Sequence, residues 1–175
     1  QAWRFWTIPA PGEPGSETWE GDSWKFGGGS SWMTGSYDES LNLIYWSVGN
    51  PAADFYGGGR KGANLYTDSV VALDADSGKL KWYYQQIPHD VWDFDGNTQI
   101  YLVEVEIDGQ KVPAVAQANR NGYFYLIDRR DGKFLRATQY VEQMNWATIG
   151  AEGRPVVSPD VFPNEEPTQR VCPGN

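Results

Sequence analysis

Ala72-Leu73-Asp74-Ala75-Asp76-Ser77-Gly78-Lys79 lies over Leu126-Ile127-Asp128-Arg129-Arg130-Asp131-Gly132-Lys133 at an offset of 54 positions, and this repeat decides the fold. Each octet is an apolar run that ends in Asp, passes through a Gly turn and leads into another run. A second echo joins Trp3-Arg4-Phe5, followed by Ile8-Pro9, to Trp82-Tyr83-Tyr84, followed by Ile87-Pro88, at an offset of 79. The first run thus corresponds to the last strand of a later unit, and the chain is expected to begin in mid-unit.

Helical periodicity is absent, while 20 Gly and 11 Pro cut the sequence into short β-rich runs. Strands are predicted at 3–8, 43–48, 69–73, 80–86, 100–107, 112–117, 123–127 and 133–139. Turns are predicted at Asp76-Ser77-Gly78, Asp108-Gly109 and Arg130-Asp131-Gly132. Four strands per unit at a mean spacing of about 66 residues suits a β-propeller blade, and a β-sandwich with similar Asp turns stays open as the alternative. At that spacing 175 residues hold two to three units, fewer than the about 4 that a closed propeller needs.

Composition narrows the chemistry. Hydrophobic residues make up 40 % of the chain and 9 Trp, 10 Tyr and 7 Phe are present, so it folds. A net charge of -9 leaves no basic stripe for nucleic acid or an anionic membrane surface. No apolar run is long enough to span a bilayer. A single Cys (Cys172) and a single His (His89) exclude an internal disulfide framework, a Cys/His zinc site and a CxxC redox motif. Any metal is therefore held by oxygen.

Four segments carry a resemblance in addition to Ala72-x-Asp74-x-x-x-Gly78-x-x-x-Trp82. They are Gly27-Gly28-Gly29-Ser30-Ser31-Trp32, Gly49-Asn50-Pro51, Pro88-His89-Asp90-Val91-Trp92-Asp93-Phe94-Asp95-Gly96, and Asn119-Arg120-Asn121-Gly122. In this order they resemble the pyrroloquinoline quinone (PQQ) dependent alcohol dehydrogenases, whose tryptophan-docking motifs tie together an eight-bladed β-propeller. The resemblance implies an all-β internal segment of one propeller domain over 1–175, with blades at about 31–87 and 98–140 and partial blades at both ends.

Residue by residue, Trp32 resembles the indole that floors the quinone, and Ser30 a hydroxyl contact to a PQQ carboxylate. Asn50 resembles an amide-oxygen metal ligand, Asp93 the catalytic base that also touches the metal, and Arg120 the guanidinium on the reactive quinone oxygens. Asp95, two residues after the catalytic Asp, is similar to the lanthanide-dependent branch, with calcium as the alternative. A trivalent, oxygen-loving ion is better neutralised by an added carboxylate. The family's Glu ligand and its disulfide between adjacent cysteines have no match here, so the segment alone is expected to be inactive.

The activity implied is oxidation of a primary alcohol to an aldehyde by hydride transfer to the metal-activated quinone, in the periplasm. The implied partners are a small alcohol, a cytochrome c electron acceptor, the remainder of the propeller chain and a second copy in a homodimer. Where methanol- and ethanol-oxidising relatives commonly place an aromatic, four residues after the metal Asn, stands Asp54. This departure points to a broader or more polar alcohol. The alternative function is a scaffold propeller that has lost PQQ.

Other motifs yield to plainer readings. An EF-hand would need acidic residues where Val91 and Leu102 stand. Gly57-Gly58-Gly59-Arg60-Lys61-Gly62 lacks the Gly-Lys-Ser/Thr ending of a phosphate loop and reads as a solvent loop. His89 reads as structural, Trp3, Trp24, Trp46, Trp82 and Trp146 as packing residues, and Asp90 with Asp93 as too isolated a pair for a glycosidase.

Overall fold

The computed structural model describes residues 1–162 and 170–174. Most of its regular structure is two four-stranded antiparallel sheets. The first contains β1 (Ser36–Asp38), β2 (Leu43–Ser47), β3 (Ser69–Asp74) and β4 (Leu80–Gln85). The second contains β5 (Tyr101–Ile107), β6 (Gln110–Ala118), β7 (Tyr123–Asp128) and β8 (Phe134–Gln139). In each sheet the strands neighbour one another in chain order. Such a meander is how a propeller blade is wound, and it lacks the Greek-key connections of a sandwich.

Alternation explains the strands. In β2, Leu43, Tyr45 and Ser47 are buried while Ile44 and Trp46 are half-buried, and β7 buries Tyr123, Tyr125 and Ile127. β3 is buried along nearly its whole length, because both of its faces are covered. One face joins a cluster that runs through both sheets and includes Tyr45, Val70, Trp82, Tyr84, Tyr125, Ile127 and Trp146. The other face, at Val71 and Leu73, packs with Leu65, Tyr66, Trp3 and Phe5.

The repeat is a physical joint between units. Trp82 lies over Gly132, where a Cβ would come within 2.8 Å of the ring, and donates through Nε1 to the Arg129 carbonyl at 3.2 Å. Trp3 lies over Gly78 in the same way and donates to the Ala75 carbonyl at 2.8 Å. Both turn glycines have positive φ, at 69° and 78°, so backbone conformation and ring contact both select glycine. Arg129 adds a second fastening: Nε donates to Asp38 on β1 at 2.6 Å and Nη1 to the Val103 carbonyl at 2.9 Å.

The sequence reading departs from the structure at 3–8, which forms no strand. It alternates, and its Thr7 carbonyl accepts from Tyr66 N–H at 3.0 Å, but no ladder partner lies beside it among the described residues. Three short strands escaped prediction. They are β1 itself, and β9 (Ala147–Ile149) with β10 (Pro155–Val157), which pair with each other. No helix of the described residues is long and apolar enough to cross a membrane.

Candidate active site

The Gly-rich segment and the Asn50 segment are pressed together. Gly29 N–H donates to the Asn50 carbonyl at 2.8 Å and Ala52 N–H to the Gly27 carbonyl at 2.9 Å. A Cβ on Gly28 would sit 2.5 Å from Ala52 N and 2.6 Å from the Asn50 carbonyl, at φ +84°. Only glycine permits this approach, and it sets Trp32 beside Asn50. The Trp32 ring edge rests at Gly49, where a Cβ would meet it at 3.0 Å, and the indole stays 55 % exposed. Ser30 is exposed and is held through its carbonyl, which accepts from Gly49 N–H at 2.9 Å and from Asn97 Nδ2 at 3.2 Å.

Asn50 Nδ2 donates to Asp54 Oδ1 at 2.9 Å. That bond fixes which end of the amide is nitrogen and leaves the oxygen as the opposite, ligand-ready end. Asp54, read from the sequence as a pocket-widening departure, thus acts on the amide beside it.

The loop from His89 to Gly96 is held in an unusual backbone path, with φ of 54°, 59° and 55° at His89, Asp93 and Asp95. Its hydrogen bonds account for the path. Asp90, fully buried, accepts from Trp92 N–H at 2.8 Å through Oδ1 and from Phe94 N–H at 2.9 Å through Oδ2. These two bonds bracket Asp93. His89 Nδ1 donates to the Gly62 carbonyl at 2.9 Å, a structural contact.

Asp95 meets Arg120, whose Nη1 donates to Oδ2 at 2.6 Å. Burial and the neighbouring Asp93 charge push the Asp95 carboxyl upward in pKa, against Arg120 and the Asn50 backbone N–H, which pull it down. Asn50, Asp93, Asp95 and Arg120 therefore converge, with Trp32 adjoining through Gly49.

Beneath them lies a buried layer that the sequence reading missed. Arg60, assigned above to a solvent loop, is 2 % exposed. Its Nη1 donates to Asn64 Oδ1 at 2.9 Å, and its Nη2 to the Ala53 and Asp90 carbonyls at 3.2 and 2.5 Å. Asp68, also fully buried, accepts from Gly96 N–H at 2.8 Å through Oδ1, while Oδ2 has no partner among the described residues. Burial, then the Asp90 charge, raises the Asp68 pKa well above the carboxylate range. Burial likewise raises Asp90, to about 6. Burial dominates both directions, and the Arg60 guanidinium, which pulls both carboxyls down, does not offset it.

The donor set fits a hard cation. Asn50, Asp93 and Asp95 offer an amide oxygen and two carboxylates, all hard oxygen donors. Among the described residues no group of three or more His, Cys, Asp or Glu side chains comes together, so these three are a partial ligand set. A planar, polyanionic cofactor is matched by the exposed Trp32 face and the forked donors of Arg120.

Sheet winding and tryptophan joints define a β-propeller segment. Its family follows from comparison. Residues 1–164 match the PQQ family model described as glucose/ethanol/alcohol dehydrogenase, β-propeller domain, and the chain belongs to this family. It is 45 % identical over 146 residues to the quinoprotein alcohol dehydrogenase PedH of Pseudomonas putida, covering 83 % of this chain and 24 % of that protein. It is 42 % identical over 132 residues to a lanthanide-dependent methanol dehydrogenase of Methylorubrum extorquens, covering 75 % of this chain and 22 % of the relative. A europium-containing methanol dehydrogenase structure superposes with a TM-score of 0.86 at 36 % identity, over 96 % of this chain and 29 % of that one. The chain thus spans about a quarter of the length of these relatives.

Proposed function

We propose that this chain carries part of the active site of a PQQ-dependent dehydrogenase that oxidises a primary alcohol to an aldehyde. The observation that carries the reading is the convergence of Asn50, Asp93, Asp95 and Arg120 from three separate loops. Relatives named as alcohol and methanol dehydrogenases support it.

When bound, PQQ and its cation supply the electrophile that accepts hydride from the alcohol carbon. Trp32 and Arg120 bind and orient the cofactor, with Ser30 at its edge. Asn50, Asp93 and Asp95 hold the cation, and a lanthanide suits their two carboxylates better than calcium does. Asp93 takes the alcohol's hydroxyl proton as general base. Electrons then pass to a cytochrome c, and the enzyme works in the periplasm.

The test is reconstitution of the complete protein with PQQ and either lanthanum or calcium, followed by dye reduction with a panel of primary alcohols. Alcohol-dependent turnover is expected. No turnover with either metal contradicts the reading and favours a scaffold propeller.

A further inference from the structure

The candidate ligands sit on two segments far apart in sequence: Asn50 on 49–54 and Asp93 with Asp95 on 90–96. Metal affinity depends on how rigidly those segments are held at one separation, because a cation gains little from ligands that must first be ordered. Two buried residues outside the ligand set span the gap, and both use short hydrogen bonds.

Arg60 makes the first span. One nitrogen, Nη2, donates to the Ala53 carbonyl on the first segment and to the Asp90 carbonyl on the second. Its other terminal nitrogen is fixed by Asn64, whose own Nδ2 donates back to the Arg60 carbonyl at 2.8 Å. Asp68 makes the second span. Its backbone N–H donates to the Gly49 carbonyl at 3.1 Å, next to Asn50, and its carboxyl accepts from Gly96 N–H, next to Asp95. Both side chains are buried, with exposures of 2 % and 0 %. Buried charged groups are costly unless they are hydrogen-bonded, and here Arg60 Nη2 and Asp68 Oδ1 bond to the backbone of the two ligand-bearing segments, while Arg60 Nη1 is anchored on Asn64.

We infer that Arg60 and Asp68 are positioning residues, a buried clasp that sets the distance between Asn50 and the Asp93–Asp95 pair. The inference rests on the metal-site reading above. The planar fork of Arg60 reaches both carbonyls from one nitrogen while a second is anchored, which a lysine ammonium on a flexible stem does not reproduce. For Asp68 the requirement is an acceptor for Gly96 N–H, which Asn also supplies.

The experiment uses the complete protein with PQQ present and terbium(III) as probe. It reads tryptophan-sensitised emission for affinity and the luminescence lifetime for the number of bound waters. Folding of each variant is followed by its metal-free melting temperature. Arg60→Lys and Asp68→Ala are expected to weaken terbium binding by about 10- to 100-fold and to shorten the lifetime as water replaces a displaced ligand. Asp68→Asn is expected to stay within about 3-fold of the wild type. In an Asn50→Ala background, the losses from Arg60→Lys and Asp68→Ala should shrink, because the ligand they position is gone.

Wild-type binding by Arg60→Lys and Asp68→Ala overturns the clasp, as does full additivity with Asn50→Ala. A loss in Asp68→Asn as large as in Asp68→Ala overturns the hydrogen-bond role of Asp68. Should Arg60→Lys not fold, the contrast between Asp68→Ala and Asp68→Asn carries the same test. A wild-type protein that binds no terbium overturns the metal-site reading itself, a separate result.

Discussion

Arg120 Nη1 donates to Asp95 Oδ2 at 2.6 Å, an ion pair between two loops 25 residues apart. It couples the residue assigned to the quinone with a residue assigned to the metal. The pair is asymmetric, since the Arg120 side chain is 44 % exposed and that of Asp95 14 %. Arg120 therefore reaches in from solvent toward a carboxylate that the loop has already placed.

Exposed ion pairs contribute about 0–1 kcal/mol to stability. Arg120→Ala should thus leave the melting temperature of the complete protein nearly unchanged, while alcohol-dependent turnover with PQQ falls by at least about 10²-fold, as for loss of a preorganised charge. Steady-state kinetics beside a thermal melt checks both halves. A large drop in melting temperature would show that the guanidinium is mainly structural.

Two tryptophans should separate in the same way. Trp82 is 7 % exposed and docks on Gly132, whereas Trp32 is 55 % exposed. Trp82→Ala is expected to destabilise by about 3–5 kcal/mol, typical of a buried Trp. Trp32→Ala should cost under about 1 kcal/mol yet abolish measurable PQQ binding. Denaturant unfolding and PQQ absorbance titration of each variant decide the matter.

Asp90 predicts a pH dependence. Its carboxyl ionises near 3.8 in an unfolded chain and near 6 when folded, chiefly through burial. Between those values the folded state holds the extra proton, so this contribution to stability is greatest at the acid end and is lost as pH rises toward about 6. The loss is on the order of 3 kcal/mol. In Asp90→Asn the fall of stability with pH should be shallower by about one proton across pH 4–6, measured by denaturant unfolding. An unchanged slope would show that Asp90 does not titrate in that window.

The strands were legible where alternation and a turn coincide. The 43–48 run became β2, and the Asp-x-x-x-Gly turns gave the β3–β4 and β7–β8 hairpins. Residues 3–8 alternate just as well, but a strand is defined by its ladder, and sequence does not show who stands beside it. β1, β9 and β10 are three residues each, too short for any periodicity. Among the proposed site residues, Trp32, Asn50, Asp93, Asp95 and Arg120 could be named from sequence because each stands in a local motif. Arg60 stands in a Gly-rich run that reads as a solvent loop and Asp68 in no motif, and the roles proposed for them rest on hydrogen bonds across 30 and 28 positions.

The most direct measurement is alcohol-dependent dye reduction by Asp95→Ala in the complete protein with PQQ, assayed with lanthanum and with calcium. The account predicts that lanthanum-supported turnover is lost while the fold, followed by its melting temperature, is kept. Lanthanum-supported turnover equal to that of the unaltered protein would contradict it.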